Sequence, residues 1–188
     1  MIKEIKPKRC KSCGDSFLPA KPLQRVCGPS CAFKDARQKR VDKEAKALRM
    51  DDRRRKEALK SKSDHRKDTQ HLFNAYIRLR DMHKPCISCG QSPYQGQRHA
   101  SHYRSRAAAS QLAYNFLQVW ASCSQCNSMK SGNILEYRIA LTRILSPEQL
   151  SEIEHNNDLA FYTVEYLKRF QKILKRRIKH YKMLRGVN

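Results

Sequence analysis

Cys86-Ile87-Ser88-Cys89 and Cys123-Ser124-Gln125-Cys126-Asn127, the second continuing as Ser128-Met129-Lys130-Ser131-Gly132-Asn133, decide the reading of this chain. Four thiolates in two CxxC pairs can close one tetrahedral zinc site, with Zn–S distances of about 2.3 Å. Such a site pins a small fold at its root. Between the pairs lie His99, His102, Asn115 and Gln118. Four thiolates already complete a zinc shell, so His99 ranks low as a zinc ligand and both histidines are left for other chemistry.

The same device recurs near the amino terminus. Cys10-Lys11-Ser12-Cys13 is followed by Cys27-Gly28-Pro29-Ser30-Cys31, a CxxC…CxxxC ladder that reads as a second four-cysteine zinc knuckle or ribbon. Gly14 follows the first pair at the point where a knuckle turn needs positive φ. Paired cysteines also serve as disulfides. The opening MIKEIKPKRC has no apolar h-region, however, and no run approaches the length of a membrane helix. A cytoplasmic chain carrying zinc, with no membrane partner, is the expectation.

Across 188 residues, 40 Lys+Arg stand against 17 Asp+Glu, a formal charge of +23. That excess calls for a polyanionic partner, nucleic acid before an anionic membrane. Hydrophobic residues make up 39% of the chain, which allows a small core of the kind that a structural metal staples.

Four segments follow from these patterns: a zinc knuckle at 1–33, a charged linker at 34–69, a zinc-stapled core at 70–145 and basic helices at 146–188. The linker holds fifteen Lys/Arg and eight Asp/Glu without Gly or Pro. Its sparse apolar positions predict a solvated helix or a disordered arm. Arg53-Arg54-Arg55-Lys56 could lie along phosphates, although a charge run is more often a solvated face. Leu72, Phe73, Tyr76, Ile77 and Leu79 recur at helical spacing and predict a helix that stops before Lys84-Pro85. Strand-like pieces, including 116–120, fill the region between the cysteine pairs. A helix is expected from the second pair toward Leu145, burying Ile134, Leu141 and Leu145. Ser146-Pro147-Glu148-Gln149 reads as N-cap, N1 proline and capping-box partner of another helix. Thr163 opens the last one, with Leu167, Phe170, Leu174, Tyr181 and Leu184 along one face.

Hydrolysis of a phosphodiester needs a positioned nucleophile, a base, and positive charge for the developing oxyanions. Histidine suits the base role near neutral pH, and Mg²⁺ or Mn²⁺ suits the Lewis-acid role. Each of His99, His102, Asn115 and Asn127 alone is more often structural. The combined CxxC…H…N…CxxCN order is much rarer than its parts. It predicts an α+β, zinc-stapled ββα-metal (HNH-like) core with flanking helices: a hairpin base, and metal ligands from the hairpin and the helix that follows it.

PCISCG at 85–90, SHYRSRAAASQL at 101–112 and CSQCNSMKSGNILEYR at 123–138 resemble the NinG (Rap) family of lambdoid phage recombination endonucleases. The resemblance extends to the amino-terminal cysteine unit and the basic tract, and so covers nearly the whole chain. It implies an HNH-like endonuclease acting on branched DNA such as Holliday junctions and D-loops. His102 falls on the family's base histidine, Asn127 on the residue after the second CxxC, and Lys130, Gly132 and Asn133 on its KSGN run. Gln118 stands where the family has a hairpin asparagine, leaving Asn115 or Gln118 as the middle letter. His99 stands where an acidic residue is frequent. The expected site is therefore His102 as base, with Asn115, Gln118 and Lys130 beside it. His99, Asn127 and Asn133 are the expected ligands of Mg²⁺ or Mn²⁺, and Arg104 and Arg106 the expected phosphate contacts. Two rival readings are a non-catalytic zinc protein that binds nucleic acid and an HNH nuclease with another DNA substrate. A homodimer with two active sites is attractive by analogy.

Overall fold

A computed structural model describes residues 6–92 and 97–187. The fold is α+β, and the chain divides into two compact units between Leu59 and Lys60.

In the first unit, β1 (Lys8–Arg9) pairs antiparallel with β2 (Ser16–Phe17), ahead of helix α1 (Pro29–Ala58). Pro29 occupies the first helical turn, where its missing N–H costs no hydrogen bond. No later Gly or Pro interrupts the helix. At 1.5 Å per residue its 30 residues reach about 45 Å. None of them is buried, and pairs such as Arg55–Asp51 (2.8 Å, i,i+4) lace the surface. Of the two alternatives for the charged tract, the helix is the one formed. It begins within the cysteine unit, so a boundary at 33/34 falls inside α1.

The second unit opens with α2 (Lys62–Arg80). Ser61 caps it by accepting from the Asp64 backbone N–H, while the Asp64 carboxylate accepts from the Ser61 N–H. The helix therefore starts before residue 70, and it buries His65, Thr69 and Gln70 as well as Phe73, Tyr76 and Ile77. Strands β3 (Arg98–His102) and β4 (Val119–Cys123) form an antiparallel hairpin, in register from Arg98↔Cys123 to His102↔Val119. The second strand thus lies three residues beyond the expected 116–120. A single π-type turn at Gln125–Met129 follows it. Next come α3 (Ile134–Thr142), α4 (Pro147–His155) and α5 (Val164–Leu184).

Helices cover both faces of the hairpin. Phe73, Tyr76 and Ile77 of α2 join Val119 and Leu167 and Leu174 of α5 in one cluster. Tyr137 and Leu141 of α3 join Leu112 and Leu150 and Ile153 of α4 in the other. The last helix is therefore half of a core rather than an appendage to it. Both expected caps are present: Ser146 with Gln149, and Thr163 accepting from the Tyr166 N–H.

Further details differ from expectation. No continuous helix runs from the second cysteine pair, because Ser131, Gly132 and Asn133 all take positive φ (47°, 92° and 48°) and turn the chain before α3. Ile134 is left exposed by that turn, and Leu184 is exposed at the frayed end of α5, while Leu141 and Leu145 are buried as expected.

Candidate functional site

The eight cysteines assemble into two sets, Cys10/Cys13/Cys27/Cys31 and Cys86/Cys89/Cys123/Cys126, and in each the sulfurs lie within 4.8 Å of one another. Tetrahedral ligands at the usual Zn–S length stand about 3.8 Å apart, against about 2.05 Å for a disulfide. Cys13–Cys27, Cys27–Cys31 and Cys89–Cys123 are separated by 3.6, 3.5 and 4.0 Å. Either set could hold a zinc ion.

Backbone hydrogen bonding repeats between the sets. Gly14 N–H donates to Cys10 O and Gly90 N–H to Cys86 O, both at 2.9 Å, with φ of 82° and 69° at the glycines. Cys27 N–H donates to Cys10 Sγ and Cys123 N–H to Cys86 Sγ, both at 3.3 Å. Such N–H groups favour the thiolate that a metal requires. Hydrogen bonds led by the Cys13 backbone N–H bring Cys10 down to about 6. Burial pushes Cys86 up, but the N–H groups of Cys89 and Cys123 outweigh it and bring the thiol down to about 7. Metal analysis of the purified protein should return two zinc ions per chain. One or none would remove a four-cysteine set.

The second set roots the hairpin. Cys123 ends β4, Ile87 N–H donates to Ala121 O, and Ser88 Oγ donates to Gly132 O. Asn127 sits in the turn just past Cys126. Its Nδ2 lies 3.1 Å from Nδ1 of His99, whose strand partner is Ser122. The other imidazole nitrogen, His99 Nε2, is buried without a hydrogen-bond partner. The Asn127 amide nitrogen faces His99 Nδ1, so His99 Nε2 and the Asn127 amide oxygen are the atoms left as potential ligands, the first borderline and the second hard.

His102 is placed apart from this pair. Residues three apart on a strand face opposite sides and stand about 10 Å apart. His99 looks toward the π-type turn, whereas the His102 Nε2 makes a 3.1 Å hydrogen bond with Ala113 O, on the side of α2 and α5. Burial is the main cause of a His102 pKa below its ordinary value. The Arg106 charge acts in the same direction, and the Ala113 carbonyl opposes both.

The remaining expected residues divide. Gln118 is fully buried and spans the loop between the strands: its Nε2 donates to Leu112 O (2.7 Å) and its Oε1 accepts from Arg104 N–H (3.0 Å). Asn115 accepts from Leu117 N–H within a local turn. Gln118 therefore holds the loop between the strands, and Asn115 closes a turn. Lys130 is exposed after the π-type turn, and Asn133 opens α3 outside the His99–Asn127 contact. Arg104 is not free for phosphate. It donates to Ile153 O, Asn156 O and Asn157 Oδ1, satisfying the end of α4. Arg106 is exposed. Arg53, Arg54, Arg55 and Lys56 form no single stripe, because successive helical residues turn by about 100°. Arg54 and Arg55 both pair with Asp51.

Three positioning residues escaped the sequence reading. Asp81, almost completely buried, accepts from Ala121 N–H and pairs with Arg80 at 2.6 Å and Lys84 at 3.1 Å. Arg80 also donates to Phe116 O and Val119 O, tying the end of α2 to β4. The Tyr137 hydroxyl donates toward Ser101 O and Gln118 O and accepts from Trp120 N–H, bridging both strands. Their partners are backbone atoms distant in sequence, which no motif records.

The family described as Bacteriophage Lambda NinG protein matches residues 2–183. This chain belongs to the NinG family. It is 37% identical to Protein ninG of Escherichia phage lambda over 177 residues, 86% of each chain. It is 34% identical to Protein ninG of Enterobacteria phage H19B over 186 residues (92% of each), and 35% identical to that of Salmonella phage P22 over 177 residues (86% of this chain, 87% of the relative). No solved structure matches. Among the described residues, no helix of this NinG-family chain is long and apolar enough to cross a membrane.

Proposed function

We propose that this NinG-family protein is a metal-dependent DNA endonuclease of the ββα-metal (HNH-like) type that cuts branched recombination intermediates. The observation that carries the reading is the meeting of His99 and Asn127, 3.1 Å apart, at the root of a hairpin clasped by four cysteines. His99 and Asn127 would hold Mg²⁺ or Mn²⁺, which would supply positive charge for the leaving oxygen and the non-bridging phosphate oxygens. The site residues do the rest. His102 takes a proton from water, Gln118 holds the loop that follows it, and Lys130 and Arg106 meet phosphate. The net charge of +23 favours DNA as the partner, and the preference for junctions rests on the family resemblance. A host-cytoplasmic location and a homodimer with two cutting centres fit the same proposal.

One observation favours a second reading, in which the protein binds nucleic acid without cutting it: His102 faces away from the His99–Asn127 pair. A four-way junction, a fork and a linear duplex, each with Mg²⁺, Mn²⁺ or EDTA, separate the readings. The endonuclease cuts the junction with either metal, leaves 5′-phosphate and 3′-hydroxyl ends, and is silent in EDTA. Binding without a cut in every tube leaves the second reading standing. Equal cutting of linear duplexes marks an HNH nuclease of another substrate class.

The His102 pKa gives a pH test. A base must be neutral to act, and burial holds this imidazole below its ordinary 6.5. Single-turnover cleavage should therefore stay level as pH falls through 6.5 and decline only at lower pH. A decline centred above 6.5 contradicts His102 as the base.

A further inference from the structure

A cavity of 430 Å³ opens in the second unit between the first turns of α2 and the loop joining the hairpin strands. Lys62, Arg66 and Lys67 line it from the helix, and Arg106 faces them from the loop. Among the described residues, no salt bridge to a carboxylate neutralises any of these four. Of the nearby carboxylates, Asp64 closes the helix cap and also feels the Lys67 charge, and Asp68 pairs with Lys60 at 2.6 Å. The walls are Gln70, Ala113 and Tyr114. Ala113 connects the cavity to the candidate site, since its carbonyl oxygen is the His102 Nε2 partner.

We propose that this cavity is a phosphodiester site, in which a strand of DNA lays its backbone between α2 and Arg106, next to His102. Four cations from two elements, none in a salt bridge among the described residues, line one concavity, where field lines focus and a diester anion gains more than on a convex helix. Two guanidiniums offer forked donors to phosphate oxygens, and the lysines add mobile charge. The dimensions fall within those of ordinary ligand pockets. Lys62, Arg66 and Lys67 lie in sequence inside a tract that reads as solvated linker; only the folding of α2 against the hairpin loop turns them toward Arg106. The site rests on the DNA-endonuclease reading for its ligand, and it gives the strand an approach from the α2 side of the hairpin, where His102 lies.

Binding measured in EDTA by fluorescence anisotropy, on a labelled four-way junction and a labelled linear duplex, tests the site without requiring cleavage. Arg66→Gln/Arg106→Gln should weaken binding and flatten the slope of log affinity against log salt by about 1.8, from about 0.9 for each of two phosphates released. Lys62→Gln/Lys67→Gln should do the same, and it decides the question if the arginine pair fails to melt cooperatively. Lys175→Gln/Arg176→Gln on exposed α5 removes equal charge and should leave the slope close to the wild type. Equal losses in the cavity and control pairs, or no loss in the cavity pairs, overturn the site. A wild-type protein that never cuts DNA while its cavity variants lose the slope overturns the endonuclease reading and keeps the site.

Discussion

His102→Ala loses DNA cleavage by about 10²–10⁴-fold, the usual contribution of a general base, and keeps junction affinity close to that of the wild type. Affinity survives because the imidazole is held neutral by burial and faces Ala113 O rather than a charged partner. His99→Ala also cuts poorly, for another reason. Its Nδ1 lies against Asn127, so removing it takes away half of the proposed cation-holding pair and lowers metal affinity. Excess Mn²⁺ should restore part of the His99→Ala activity, since mass action refills a weakened site, and should do nothing for His102→Ala. The geometry makes this pair of variants decisive. The two imidazoles face opposite sides of β3, and a single role cannot belong to both. Rescue of His102→Ala but not His99→Ala by Mn²⁺ exchanges the assignments. Wild-type cutting by His102→Ala removes the base from β3's end altogether.

Cys86→Ser unfolds the second unit. Cys86 is buried, its sulfur accepts the Cys123 N–H, and its neighbour Ile87 is tied to β4 through Ala121. Structural zinc in small domains is worth about 10–16 kcal/mol at neutral pH. That equals or exceeds the whole stability of an ordinary domain, about 5–15 kcal/mol. A cooperative melt followed by circular dichroism should vanish in Cys86→Ser and in chelator-treated wild type. Cys13→Ser should keep the melt of the second unit and lose one zinc. Its cluster holds a two-stranded ribbon and the start of α1 in the unit that ends at Leu59, whereas the four cysteines from Cys86 to Cys126 belong to the other unit. A Cys86→Ser protein with an unchanged melt would show that the hydrophobic clusters suffice without the metal.

How much of this was legible in residues alone follows from the range over which each signal acts. The cysteine sets, the knuckle glycines, and the caps at Ser146 and Thr163 depend on spacings of a few residues, and each is readable as a pattern. So is the Ser61-Lys62-Ser63-Asp64 capping box, although it lies inside a charged run. His99 and Asn127, expected as ligands of one cation, lie 3.1 Å apart, since the cysteine clasp brings the turn after Cys126 to the strand that carries His99.

Other features needed the folded chain. A motif orders His99 and His102 along the sequence, but only the register of β3 on β4 decides which face each one takes. Arg104 and Arg106 are equivalent as text. One is consumed by the carbonyls ending α4 and the other stands free over a cavity, because backbone groups about fifty residues away claim the first. By itself the sequence determined the metal-ready cysteine sets, the helix starts and the excess of positive charge, all local or additive properties. Which cations converge, which histidine meets the asparagine and which buried carboxylate locks the hairpin were decided by tertiary structure, since burial and long-range hydrogen bonds exist only once distant segments pack.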